Sequence, residues 1–244
     1  MSLEIQQLTG GYGTMPVIQQ LEFTVPAGSI VGLIGLNGAG KSTTIKHIIG
    51  LLTPMSGSIA IDGKTLASDP DGYRAALAYV PETPVLYPEL TLREHIDLTI
   101  MAYALDRKQA WQRAEAMLAK FRLANKLEWF PANFSKGMKQ KVMIVMAFIT
   151  DAEVFIIDEP FTGLDPLAVH DLLDLVQEKR AGGAAVLMST HILATAEQYA
   201  DSFVLLQDGK VRATGDMAAL QAQFNLPAGT LDDIYMAMTE AAHE

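Results

Sequence analysis

The segment IVGLIGLNGAGKST, residues 30–43, constrains the fold of this chain more than any other. It opens with the apolar run 30–34, which is typical of a strand buried on both faces. Glycine-rich residues then lead into Lys41-Ser42-Thr43 and a helical pattern, which is the context that G-x-x-x-x-G-K-[ST] requires. An ordinary glycine-rich turn need not fill every one of these positions. The segment therefore predicts a phosphate-binding loop inside an α/β fold.

A loop of this kind binds polyphosphate mainly through its backbone. Its N–H groups converge on the anion, and the following helix adds the positive end of its dipole. Lys41 reaches the β- and γ-phosphates, while Ser42 offers its hydroxyl to Mg²⁺. The sequence thus predicts binding of a nucleoside triphosphate. The other candidate phosphate-binding residues are Gly35, Asn37, Gly38, Ala39, Gly40 and Thr43.

A second apolar run ends in two carboxylates. Residues 154–157 predict a buried strand, and Asp158 and Glu159 follow at once. Such a pair supplies an acid that binds metal and a second acid that is free to act on water. A further strand, 186–190, brings His191 to its end. Asp158, Glu159 and His191 are therefore candidate residues for metal binding and catalysis.

Two shorter segments have more than one interpretation on their own. FSKGM, residues 134–138, precedes a predicted helix at 139–150, and Ser135 stands where an N-cap would. It is either a plain helix cap or a second anion site. Tyr12 stands among glycines next to short alternating strands at 3–5, 21–25 and 58–61. It is either an incidental turn residue or a ring that stacks on a nucleobase.

Composition excludes several classes of protein. The chain has 244 residues with no cysteine, so disulfides, thiolate metal sites and cysteine nucleophiles are ruled out. No apolar run approaches the roughly 18 residues of a membrane span, and the N-terminus lacks the pattern of a signal peptide. The net charge of −10 argues against nucleic-acid binding and against unaided adsorption to an anionic membrane. These features favour a cytosolic protein that needs another protein to reach a membrane.

The order of these motifs resembles that of the ATP-binding cassette (ABC) ATPases. The resemblance covers residues 3 to about 215, and FSKGM lies where that family has its LSGGQ signature. The PET segment 82–84 together with FSKGMKQKV is similar to the Ecs-type bacterial ABC transporter ATPases. The resemblance implies an α/β fold with a RecA-like P-loop core, an N-terminal antiparallel β subdomain and an inserted α-helical subdomain at about 86–150. It divides the chain into an ATPase domain, 1–215, and a C-terminal helical tail, 216–244.

The same resemblance implies roles for individual residues. Glu159 is the expected general base, His191 is expected to contact the γ-phosphate, and Tyr12 is expected to stack on adenine. Asp158, Ser42 and Glu82 are the expected groups around Mg²⁺. Three residues are expected to act on the ATP of a second protomer or across the dimer interface: Ser135, Gly137 and Asp165.

The chain departs from the family pattern at two positions. Residue 82 is Glu where most members have Gln, and Lys136 replaces a signature glycine. These departures concern the coupling of the two ATP sites and leave the ATP site as predicted.

The implied function is that of the ATP-binding and ATP-hydrolysing subunit of a bacterial ABC transporter. Its expected partners are a membrane-spanning subunit and a second ATPase protomer, as a homodimer, with no nucleic acid. The expected location is the cytoplasmic face of the membrane, and the cofactors are ATP and Mg²⁺. Four apolar residues stand beside the inserted helical subdomain: Val85, Leu86, Tyr87 and Leu90. They are either a docking surface for the membrane-spanning subunit or residues buried within the helical subdomain.

Two alternatives remain at this level. One is a soluble ABC mechano-ATPase, although the coiled coils, metal-binding cysteines or tandem cassettes usual in those proteins are missing. The other is a P-loop kinase or GTPase, which FSKGM and the Asp158-Glu159 pair argue against.

Overall fold

The computed structural model of the chain describes residues 1–240. Strands and helices alternate along most of this range. The strands are β1 (Leu3–Tyr12), β2 (Met15–Val25), β3 (Ile30–Ile34), β4 (Ser56–Ile61), β5 (Lys64–Thr65), β6 (Leu77–Val80), β7 (Val154–Asp158), β8 (Ala185–Ser189), β9 (Ser202–Gln207) and β10 (Lys210–Gly215). The helices are α1 (Lys41–Ile48), α2 (Pro70–Ala75), α3 (Leu92–Ala102), α4 (Arg107–Lys120), α5 (Lys136–Phe148), α6 (Pro166–Ala181), α7 (Leu193–Tyr199), α8 (Met217–Gln223) and α9 (Leu231–Glu240).

The first sheet is antiparallel and has the strand order β2-β1-β4-β5. Its alternating sequence buries one face, with Leu3 opposite Val25 and Ile5 opposite Phe23. The strands predicted at 3–5 and 21–25 are therefore the buried ends of longer strands. The hairpin between β4 and β5 turns at residues 62–63, both of which have positive φ, as the Asp-Gly pair predicts.

The second sheet has the strand order β10-β9-β3-β8-β7-β6, and its strands β3, β6, β7, β8 and β9 run parallel. Strands β3, β7 and β8 are fully buried, which explains their continuous apolar sequences. Parallel strands place their carboxyl ends at one edge, so the loops after these three strands meet there. The α/β fold expected from the sequence is confirmed.

The segment 86–150 contains α3, α4 and α5, which pack together with the apolar residues of β6 and β7. Thr91 caps α3 in a capping box with Glu94, as its position predicts. Helix α4 begins at Arg107 because Asp106 is its N-cap and accepts a hydrogen bond from the Gln109 N–H. Helix α5 begins at Lys136 rather than at residue 139, because Ser135 is its N-cap.

The predicted tail, 216–244, forms α8 and α9 as far as residue 240, and residues 241–244 lie outside the described range. Both helices pack against β3 and β9 of the second sheet, in an apolar cluster that includes Ile34 and Phe203. Within residues 1–240, no helix is both long enough and apolar enough to cross a bilayer.

Candidate functional site

The phosphate-binding loop follows β3 and leads into α1. Gly38 and Gly40 have φ of 87° and 108°, a region that residues with a Cβ rarely adopt. A Cβ on Gly40 would also lie 2.9 Å from the Ile18 side chain. No side chain of residues 1–240 caps the start of α1, so its first N–H groups can donate to an anion. The loop encloses a cavity of about 180 Å³ lined by Val17, Leu36, Asn37, Gly38, Gly40, Lys41, Ser42 and Thr43.

Lys41 is 7% exposed and lies between the loop and an acid from β7. Its Nζ donates a hydrogen bond of 2.7 Å to the Gly35 carbonyl and lies 3.7 Å from Glu159 Oε1. The ammonium group is thus fixed at the floor of the loop. Charge at this point favours binding of a phosphate group.

Asp158 ends β7 and is 4% exposed. The Ser189 hydroxyl donates a hydrogen bond of 2.5 Å to its Oδ1, and the Glu159 N–H donates to the same Ser189 oxygen at 3.0 Å. Burial raises the pKa of Asp158, and the charges of Glu82 and Glu159 raise it further. The Ser189 hydrogen bond and the charge of Lys41 oppose that rise in the pKa.

Glu159 follows Asp158 in a left-handed conformation with φ of 44°. Such backbone strain costs of order 1–3 kcal/mol and is common at functional sites. Its Oε2 accepts hydrogen bonds from His191, from Nδ1 at 2.7 Å and from the backbone N–H at 3.2 Å. Glu159 therefore has Lys41 beside one carboxylate oxygen and His191 beside the other.

Lys41, Glu159 and His191 face a cavity of about 740 Å³ at the carboxyl edge of the second sheet, while Asp158 does not line it. The cavity brings together the loop, Glu82, Glu159 and His191, which come from four separate parts of the chain. The lining residues are Ile34, Gly35, Leu36, Asn37, Lys41, Ser42, Glu82, Glu159, Thr162, His191, Leu193, Asp232, Tyr235 and Met236.

The side-chain oxygen atoms at the carboxyl edge of the second sheet suit a divalent cation. Asp158, Glu82 and Glu159 bring three carboxyl groups close enough to raise the pKa of one of them, and Lys41 is the cation that offsets them. A hard cation with oxygen ligands would relieve that repulsion, and Ser42 adds a hydroxyl at the cavity wall. In residues 1–240, the one group of three His, Asp or Glu side chains with mutually close ligand atoms is His170, Asp171 and Asp174 on α6. Its acids pair with Lys120 and Arg122 instead.

Ser135 and Gly137 lie at the start of α5 and do not line this cavity. The Ser135 hydroxyl accepts a hydrogen bond from the Met138 N–H at 3.3 Å, so it is a helix cap in the isolated chain. A Cβ on Gly137 would lie 2.3 Å from the Gly163 carbonyl oxygen. The close approach of the first turn of α5 to the loop at Gly163 therefore requires glycine at 137.

Asp165 is engaged within its own chain. Its carboxylate caps α6 through the Ala168 N–H and pairs with Lys141 Nζ at 2.7 Å, and these contacts lower its pKa. Tyr12 is 50% exposed, and its hydroxyl accepts a hydrogen bond from Lys46 Nζ at 3.0 Å. It lines neither of the two cavities above. Contact of Asp165 with a second protomer and stacking of Tyr12 on adenine stay predictions.

Sequence reasoning missed several residues of this site. Ser189 lay inside a predicted strand, and its position just before Thr190-His191 was the signal available. Asp232, Tyr235 and Met236 belong to the predicted helical tail, but no local pattern connects residue 235 with the loop at residue 36.

Comparison with known proteins gives consistent matches. Residues 18–162 match the ABC transporter family. The chain is 56% identical over 244 residues to the ABC-type transporter ATP-binding protein EcsA of Bacillus subtilis (strain 168), with 99% of each chain covered. It is 34% identical to the SkfA peptide export ATP-binding protein SkfE of the same organism, over 86% of this chain and 87% of that one. A solved ATP-binding subunit of an ABC transporter superposes with a TM-score of 0.95 at 54% identity, over 98% of this chain and all of that chain.

Proposed function

The chain belongs to the ABC transporter family as an ATP-binding ATPase that energises transport, and we propose that Glu159 is the general base of its hydrolytic site. The observation that carries this proposal is the position of the Glu159 carboxylate between Lys41 and His191, facing the large cavity. A carboxylate in that place can accept a proton from water at the γ-phosphate end of a nucleotide held by the loop.

The proposed reaction is hydrolysis of the terminal phosphoanhydride of ATP. The water oxygen bonds to the γ-phosphorus as the water proton passes to Glu159. The bond from the γ-phosphorus to the bridging oxygen breaks, and ADP and phosphate are the products. Lys41 offsets the charge of the β- and γ-phosphates, and His191 orients the Glu159 carboxylate through its Nδ1.

We infer that Mg²⁺ accompanies ATP. Ser42, Asp158 and Glu82 are the side chains that would hold it, together with phosphate oxygens, because Mg²⁺ usually takes one or two carboxylates plus phosphates. When bound, it neutralises charge on the β- and γ-phosphates. Ser189 fixes the orientation of Asp158 and shares its hydroxyl with the Glu159 backbone.

We propose that the working unit is a dimer, as a homodimer, in which each ATP lies between the loop of one protomer and Ser135 and Gly137 of the other. The location of these two residues outside the cavity of their own chain supports this arrangement. Asp165 and the backbone contact of Gly137 with Gly163 link α5 to the loop before α6. A nucleotide bound at the dimer interface would therefore affect the positions of both α5 and the loop before α6.

We propose that a membrane-spanning subunit holds the chain at the cytoplasmic face of the membrane. Val85 and Tyr87 are 75% and 60% exposed just after Glu82, so they can contact such a subunit. Leu86 packs into the helical cluster instead. The proposed docking surface therefore includes Val85 and Tyr87 but not Leu86.

The experiment has two parts. The tagged chain is purified from detergent-solubilised membranes, and the protein that comes with it is identified. The purified chain is then tested for Mg²⁺-dependent ATP hydrolysis, with Lys41→Ala as the inactive control. A chain that hydrolyses ATP but brings down no multi-spanning protein contradicts the membrane partner, and a chain that does not hydrolyse ATP with that partner present contradicts the assigned site.

A further inference from the structure

Tyr12 is the last residue of β1, where the hairpin between β1 and β2 turns. The turn is exposed, and Gly13 adopts a φ of 60° within it. The Tyr12 side chain is 50% exposed and belongs to none of the three apolar clusters of residues 1–240. Packing in an apolar core therefore does not hold this ring in place.

The side chain that contacts the ring comes from α1, the helix that follows the phosphate-binding loop. Lys46 Nζ donates a hydrogen bond of 3.0 Å to the Tyr12 hydroxyl and lies 5.3 Å from the centre of the ring. Among residues 1–240, the Tyr12 hydroxyl is the one hydrogen-bond acceptor of this ammonium group. Because the ammonium is closer to the hydroxyl than to the ring centre, it holds the ring by one end. The half-exposed ring keeps surface that a ligand can contact.

Helix α1 gives Lys46 a defined position relative to the loop. Lys46 lies four residues after Ser42 on the same helix, about one turn further along it. On either side of Lys46, Ile45 and Ile48 are fully buried in the apolar cluster beneath the helix. The hydrogen bond therefore joins a ring of the antiparallel sheet to the helix that carries the phosphate-binding residues.

We propose that Lys46 is a positioning residue that holds the Tyr12 ring ready for the base of a nucleotide whose phosphates are bound by the loop. The base and the phosphates belong to one molecule, so the ring must lie at a set distance from the loop to stack on the base. Lys46 sets that distance, because it contacts the ring and lies on the helix that begins in the loop. A ring that is ordered before the nucleotide arrives loses less conformational freedom on binding.

This inference rests on the proposed binding of ATP at the loop and on the predicted stacking of Tyr12 on adenine. A lysine on α1 can also act as a cation that attracts phosphate. The two roles differ in the ligands that they affect. Positioning of the ring affects only ligands that carry a base, whereas attraction of phosphate affects every phosphate ligand.

The test compares ADP, which carries a base, with pyrophosphate, which does not, both in the presence of Mg²⁺. ADP has no γ-phosphate to lose, so hydrolysis does not disturb the measurement. The variants are Lys46→Met, Tyr12→Phe, the double variant of these two, and Tyr12→Ala. Lys108→Met is the matched control, because Lys108 is an exposed lysine on α4. For each protein, calorimetry gives the dissociation constants of both ligands, and a thermal melt gives Tm without ligand.

We expect Lys46→Met and Tyr12→Phe each to weaken ADP binding by roughly twofold to fivefold, within the range of one hydrogen bond. Both remove the same contact, so the double variant should bind ADP no more weakly than either single variant. Tyr12→Ala should weaken ADP binding by at least about fivefold, because it also removes the stacking surface. Pyrophosphate affinity and Tm should keep their wild-type values throughout, and Lys108→Met should match wild type for both ligands.

Three results would overturn the positioning role of Lys46. They are wild-type ADP affinity in Lys46→Met, equal losses of ADP and pyrophosphate affinity in that variant, and additive losses in the double variant. Wild-type ADP affinity in Tyr12→Ala would overturn it as well, together with the stacking of Tyr12. Failure of the wild-type chain to bind either ligand would instead contradict the phosphate-binding loop, which separates the two proposals.

Discussion

The Ser189 hydroxyl lies 2.5 Å from Asp158 Oδ1 and donates a hydrogen bond to it at the buried end of β7. That single donor does not offset burial, since the pKa of Asp158 remains raised by burial and by the neighbouring carboxylates. Burial and the neighbouring carboxylates therefore disfavour the ionised form of Asp158 in the folded protein. The ionised form of Asp158 costs folding stability in the nucleotide-free protein, and under the proposed function a bound Mg²⁺ would offset that cost.

Replacing Asp158 by Asn should stabilise the nucleotide-free protein. The native pKa of Asp158 lies above its ordinary value of 3.8, so its contribution to stability falls as pH rises above that value. Asp158→Asn removes this penalty, and we expect Tm at pH 7.5 to rise by a few degrees, since about 1 kcal/mol is worth roughly 2–4 °C in a chain of this size. The gain should shrink as the pH is lowered toward 3.8. Thermal melts in EDTA, with the exposed Asp71→Asn as control, check this. A lower Tm for Asp158→Asn at pH 7.5 would contradict the assigned burial cost.

Replacing Glu159 by Gln should separate ATP binding from hydrolysis. Gln keeps the shape of the side chain but cannot accept the proton, so we expect kcat to fall by at least about 100-fold, the usual contribution of a general base. ATP binding should persist, and the ATP-bound dimer should accumulate because it is no longer consumed. Phosphate release and size-exclusion chromatography with ATP measure the two effects.

The control for that experiment is Glu115→Gln, an exposed glutamate on α4. It should retain the wild-type rate and elution volume. Hydrolysis by Glu159→Gln at the rate of this control would remove Glu159 from the role of general base.

Replacing Glu82 by Gln should have a smaller effect. Glu82 lines the cavity, and its charge acts on Asp158, but it is exposed. Within residues 1–240 it makes no hydrogen bond or ion pair with Lys41, Glu159 or His191, which are joined by such contacts. We expect basal ATPase activity within roughly tenfold of wild type, a barrier change of about 1.4 kcal/mol or less. Stimulation by the membrane partner should change more than the basal rate.

The measurement is ATPase activity of both proteins across a Mg²⁺ titration, with and without the partner. Loss of activity as complete as that of Glu159→Gln would mean that Glu82 is the base. Identical values under every condition would mean that Glu82 has no part in either step.

Cysteine crosslinking should test the dimer directly. The chain has no cysteine, so a pair introduced as Lys136→Cys and Asn37→Cys reports only on the chosen contact. We expect disulfide-linked dimers when ATP is present in the Glu159→Gln background, and few without it. Lys136→Cys combined with Glu115→Cys is the matched control. Crosslinks that form only within one chain would refute the arrangement in which Ser135 acts on the ATP of the other protomer.

The sequence by itself determined those features of the site whose structure depends on residues close together in the chain. The phosphate-binding loop, the acids that end β7 and the caps at Thr91 and Ser135 were all predictable. Each depends on residues within a few positions of one another, where backbone geometry and hydrogen bonding are set locally. The ends of helices and strands were predicted less accurately than their presence. Helix α5, for example, begins at residue 136 rather than at residue 139, because the N-cap Ser135 decides where the helix starts.

Tertiary structure decided the contacts between residues that are far apart in the sequence. Ser189 meets Asp158 because β8 pairs with β7 in a register that aligns them, and Tyr235 lines the same cavity as the loop because α9 packs on β3. The same is true of Asp165 with Lys141 and of the exposed Tyr87 beside the partly buried Leu86. Such contacts depend on strand register and on how apolar faces pack, which involve residues tens to hundreds of positions apart. The sequence therefore determined which side chains are candidates for the chemistry of the site, while the packing decided which side chains position them.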